Sequence, residues 1–144
     1  MRGRSALSVI EVLIVLAILG ILLAIAIPNL RPPAAQLAAN SVQAFVQQAR
    51  FEAIRLNAEV AVTVADGRFA SRSGGCSGNV LRTLDLAEYP QVSASGGDLI
   101  WTHTGQVRSC GGSALGVNGV AWQIADERRA HTVQVGAGGA VTVE

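Results

Sequence analysis

The chain has 144 residues, half of them hydrophobic and only six aromatic. Eleven basic residues, all Arg, stand against ten acidic ones, and a net charge of +1 gives no global field to draw in nucleic acid. The length suits one domain, smaller once the apolar N-terminus is set aside.

Residues 1–6, MRGRSA, are short, basic and polar. Arg2 and Arg4 precede an apolar run and no acid does; without these six residues, nine Arg would face ten acids. The run covers residues 7–27. As a helix rising ~1.5 Å per residue it is about 32 Å long, enough for a hydrocarbon core of ~30 Å. The flanking Arg2 and Arg4 place its start in the cytoplasm and the rest of the chain outside the membrane. Glu11 interrupts the run near its start, and Val12 to Leu30 then carry no charge. A carboxylate forced to the bilayer centre costs roughly 2.5–3.5 kcal/mol, less near the interface. Such a cost points to a use for the group.

Next comes IPNLRPPAA. Pro28, Pro32 and Pro33 predict a break or kink, with a second helix starting near Pro33, where proline suits the first turn. Residues 28–57 are thus an amphipathic continuation after a proline-rich break. Within 34–57, Ala38, Val42, Phe45, Ala49, Ala53 and Leu56 fall on one face, and Gln36, Asn40, Gln43 and Gln47 on another. Residues 58–144 read as strands. EVAVTVADGRFASR alternates around Asp66-Gly67. NVLRTLDL, QVSAS, DLIWTHTGQVR, GVAWQIA and HTVQVGAGGAVTVE follow, with Thr104-Gly105 and Gly138-Gly139 marking hairpins. The Gly-rich segments 74–78 and 111–119 read as loops. The predicted class is α+β: a long N-terminal helix packed on a small antiparallel sheet.

The short basic leader, Ala6, then Leu7-Ser8-Val9-Ile10-Glu11 and an apolar helix ending at Pro28 resemble the N-terminus of type IV pilins and type II secretion pseudopilins. The resemblance implies that a prepilin peptidase cuts between Ala6 and Leu7 and methylates the new amine of Leu7. Glu11 then becomes the fifth residue, where the family keeps a glutamate. Gly20 and Pro28 also match. The family nearly always has Gly before the cut, where this chain has Ala6. In an assembled filament, the resemblance implies, the amine of one subunit meets Glu11 of its neighbour. ARFEAIRLN at 49–57, the strand with Val60 and Val62, LIWTHTGQVR, the strand near Trp122 and HTVQVGAGGAVTV resemble the GspH/FimT group of minor pilins and pseudopilins. That resemblance implies a low-abundance structural subunit that primes or caps a filament. Its partners would be other pilins, the prepilin peptidase and the bacterial inner membrane, with the C-terminal domain periplasmic.

Two other functions compete. Arg2 and Arg4 with Ala24-Ile25-Ala26 also fit a secretory signal, which would release a soluble binding domain starting at Ile27. Arg128 and Arg129, with His131, form a small basic cluster, and some minor pilins of this kind serve DNA uptake. Against a DNA contact, Asp126 and Glu127 adjoin the pair, and the tail GAGGAVTVE lacks the basic residues of DNA-binding members.

Cys76 and Cys110 both lie in Gly/Ser-rich stretches. An extracytoplasmic domain permits a disulfide, worth about 3–4 kcal/mol for a loop of this length in the chain-entropy model. His103 and His131 would complete a Cys₂His₂ set, but no pair has close ligand spacing, so no metal is expected. Trp101 and Trp122 read as core residues, and Asp66, Asp85 and Asp98 show no partner pattern. With no nucleophile elbow, phosphate loop or metal motif, neither catalysis nor a cofactor is expected.

Overall fold

The computed structural model describes residues 8–29, 33–113, 115–116 and 119–144. Its contacts divide the chain into two units, 1–32 and 33–144.

In the first unit, helix α1 runs Val9–Asn29. The carbonyl of Ser8 accepts hydrogen bonds from the N–H groups of Glu11, at 2.9 Å, and Val12, at 3.2 Å, which closes the first turn. No part of the Val9–Ala26 stretch is buried. The helix is apolar on every side, the pattern of a segment that meets lipid or other helices all round. The predicted cut, between Ala6 and Leu7, lies outside the described residues. So does the middle of the predicted break: α1 continues one residue past Pro28, α2 starts after Pro33, and residues 30–32 are not described.

The second unit begins with helix α2, Ala34–Leu56. It ends where Asn57 adopts a left-handed conformation, φ 49°, and the N–H groups of Asn57 and Ala58 close on the carbonyls of Ile54 and Ala53. Its buried stripe is Ala35, Ala38, Ala39, Val42, Phe45, Val46, Ala49 and Ala53. Five of these eight are alanine, which lets the helix axis approach the strands closely. Leu56, expected on this face, is instead 44% exposed. It is the last helical residue, and the stripe has already ended at Ala53.

Among the described residues nine strands follow: β1 Val60–Ala65, β2 Arg68–Ser73, β3 Asn79–Asp85, β4 Ser93–Gly96, β5 Leu99–Trp101, β6 Val107–Ser109, β7 Val120–Ala125, β8 Ala130–Val135 and β9 Val141–Val143. The antiparallel α+β arrangement is as expected, but the strands form two sheets rather than one. Their orders are β3-β2-β1-β5-β6 and β4-β7-β8-β9. The chain changes sheets three times, between β3 and β4, between β6 and β7, and, most tightly, between Gly96 and Leu99. There the Asp98 carboxylate accepts the Val64 N–H at 3.0 Å, holding the crossover to the end of β1.

Helix α2 covers both sheets, and an aromatic chain joins the three layers. Phe45 of α2 meets Phe69 of β2 edge-on, ring centroids 6.5 Å apart. Phe69 in turn meets Trp122 of β7 edge-on at 5.8 Å. The Trp122 indole N–H donates to the Gly97 carbonyl at 2.7 Å. Gly96 lies opposite Trp122 in the ladder, and a Cβ there would strike the indole ring.

A second tie runs through Arg50. Its guanidinium lies over the Trp101 ring, 5.5 Å from the centroid, and donates to the Gly139 carbonyl at 3.1 Å. Gly139, in the β8–β9 turn at φ 82°, packs so close that a Cβ would lie 2.9 Å from the carbonyl oxygen of Gly105, in the β5–β6 turn. One helix side chain thus gathers a hairpin turn from each sheet.

Cys76, between β2 and β3, is disulfide-bonded to Cys110, just after β6, with Cα atoms 5.9 Å apart. Replacing Cys110 with Ser is expected to cost about 2–5 kcal/mol. Urea unfolding of the full chain in micelles, with and without reductant, checks this. The reductant should lower the wild-type midpoint and leave the variant unmoved.

Candidate functional site

The expected assembly site is the start of α1. Glu11 lies in the first helical turn, where the helix dipole favours a negative charge. It shares its surface with Val12, Val15 and Leu16, all apolar. No Arg occurs from Ser8 through Asn29, so the described part of this unit offers Glu11 no cationic side chain. The carboxylate stands at the head of an uncovered apolar rod, able to accept a positive partner brought by another molecule. Leu7, the predicted carrier of the amine, lies outside the described residues.

The cluster of Arg128 and Arg129 lies in the turn between β7 and β8. Asp126 organises that turn. Its Oδ1 accepts the backbone N–H groups of Arg128 and Arg129, both at 2.8 Å, and its own N–H donates to the Arg129 carbonyl at 2.9 Å. Its Oδ2 accepts the N–H of Ala35 at 3.2 Å, reaching the first turn of α2. These donors hold the carboxyl below the ordinary aspartate value. The N–H groups of Arg128 and Arg129 contribute most; desolvation, next in size, opposes them, and the Ala35 N–H and the nearby Arg128 charge add smaller contributions. Both guanidinium side chains belong to exposed residues. The pair therefore decorates a solvated turn whose own carboxylate offsets its charge.

Two of the acids that showed no partner pattern, Asp85 and Asp98, do have partners. Asp85 lies opposite Arg68 across the β2–β3 ladder, with carboxylate and guanidinium 2.7 Å apart. It also accepts the Ala87 N–H, the main reason its carboxyl sits below the ordinary value, with the Arg68 hydrogen bond next. At the C-terminal part of α2, Glu52 faces Ser71 at 3.5 Å and Arg82 at 3.7 Å. His103 occupies the exposed β5–β6 turn, while His131 is half-buried on β8 opposite Ile124. Among the described residues no three His, Cys, Asp or Glu side chains gather as metal ligands.

No family model matches the chain. Over 74 residues it is 45% identical to the pilin-like protein PilA1 of Thermus thermophilus, a match covering 50% of this chain and 45% of that protein. The chain thus spans under half the length of this curated relative. Among solved structures, it is similar to the type IV minor pilin FimU of Pseudomonas aeruginosa: TM-score 0.61, 17% identity, 76% of this chain and 87% of that one. It is also similar to the minor pseudopilin EpsH from the type 2 secretion system of Vibrio cholerae: TM-score 0.58, 12% identity, 76% and 95%.

Proposed function

We propose that this chain, whose fold is pilin-like, is a minor pilin or pseudopilin: a structural subunit that primes or caps a type IV pilus or a type II secretion pseudopilus. The observation that carries the reading is the head of α1. A 21-residue apolar helix, exposed over its described side chains, bears one charge, Glu11, in its first turn, and the same chain carries a pilin-like domain.

On this reading the prepilin peptidase cuts between Ala6 and Leu7 and methylates the Leu7 amine. The helix spans the inner membrane with the domain on the periplasmic side. On assembly the amine of one subunit meets Glu11 of the next, and both charges are neutralised as apolar helices bundle around them. A lone buried carboxylate is costly, and a charged partner at contact distance offsets that cost. The partners are other pilins through α1. Residues 33–144 supply the surface each subunit shows outside the bundle, and no catalytic role is assigned to them.

Intact mass and N-terminal sequencing of protein purified from membranes test the reading. A start at Leu7 carrying one extra methyl group is expected. A start at Ile27, or an uncut Met1, would remove Glu11 from any role in assembly and overturn it.

A further inference from the structure

Helix α2 starts without a cap of its own. Pro33 stands at the N-cap position and has no side-chain acceptor, and no side-chain cap bond is formed there. The Pro33 carbonyl takes the N–H groups of Gln36, at 3.1 Å, and Leu37, at 3.2 Å. The N–H of Ala35 points outward, and Asp126, 91 residues further along, accepts it. The other oxygen of the same carboxylate is bound to two N–H groups of the β7–β8 turn. One rigidly held group therefore joins a hairpin of the four-stranded sheet to the first turn of the helix.

We propose that Asp126 is a latch for α2: a cap delivered from the β7–β8 turn that fixes where the helix begins and lets its first turn open when the carboxylate is lost. The charged groups on the turn itself are Glu127, Arg128 and Arg129. Among the described residues, α2 brings none from 34 to 49 and β4, which pairs with β7, has none either, while β8, which pairs with β7 beyond the turn, carries His131 opposite Ile124. The sign follows from the hydrogen bonds, which hold the folded carboxyl below its ordinary value of 3.8. The stabilisation is fully present above that value and is lost as pH falls through the lower, folded one.

Amide hydrogen exchange on the full chain in detergent micelles tests this. In Asp126→Ala, exchange across Ala35–Ala38 should rise roughly fivefold, the effect of losing a cap, while Gln47–Ala53 stays as protected as in wild type. Asp126→Asn keeps an acceptor oxygen without the charge and should fall between the two. The difference between wild type and Asp126→Ala should shrink once pH drops below the folded value. Unchanged exchange at Ala35–Ala38 in the Ala variant would overturn the latch. So would a rise spread evenly along α2, the mark of general destabilisation. If Asp126→Ala does not fold, the Asn variant and the wild-type pH series decide by the same comparison of first turn with helix middle.

Discussion

Glu11→Ala should leave the protein inserted in the membrane yet reduce its share of sheared filaments by roughly a hundredfold or more. Insertion rests on apolar length, which the substitution does not shorten and whose charge penalty it removes. Assembly, on the proposed reading, rests on a pair of opposite charges meeting among helices. Removing one partner of such a buried pair strands the other and costs about 3–5 kcal/mol, against roughly 1.4 kcal/mol per decade of affinity. Glu11→Gln keeps the shape and hydrogen-bonding capacity but strands the amine in the same way, so it should fail nearly as badly. Quantifying each variant in membrane and sheared-filament fractions gives the answer. Wild-type amounts in filaments would mean that the carboxylate does not set subunit register.

The second large effect is Trp122→Ala. Trp122 is wholly buried, meets Phe69 edge-on and hands its N–H to Gly97. Truncation empties the junction of helix and both sheets and leaves the Gly97 carbonyl without that donor, a loss of about 3–5 kcal/mol. Small domains have only ~5–15 kcal/mol in total. In urea the midpoint should fall by about 2 M, given slopes of ~1–3 kcal/mol per M. A shift below a quarter of that would show that the indole does not organise the core.

Most elements were legible in the sequence because their periodicity is local. The α2 stripe repeats every three or four residues. The strands alternate between glycine turns, and Asp66, at φ 50°, and Gly67, at φ 72°, take the left-handed conformations that such a hairpin turn needs. The division into two sheets was not legible. Nothing local tells that Gly96 makes room for an indole on another strand. Arg50 was hidden for a similar reason. A cation in mid-helix reads as solvent-facing, whereas its partner Gly139 is 89 residues away. Asp126 looked like a turn acid, and half of what it does depends on a helix far earlier in the chain. At the assembly site, the apolar run and its single carboxylate were plain from the sequence. On the proposed reading, the partner that completes the site lies on another molecule, beyond what one chain can display.

The bareness of α1 restricts the routes open to the whole protein. Each large aliphatic side chain held in water costs about 1.5–3 kcal/mol relative to burial, and thirteen of them, from Val9 to Ile25, are exposed. The total far exceeds the margin by which any domain stays folded. A solitary full-length molecule in the aqueous phase is therefore not a waypoint. On the proposed reading, whatever extracts this subunit from lipid must hand it directly to a companion, so departure from one host and acceptance by the next are a single event.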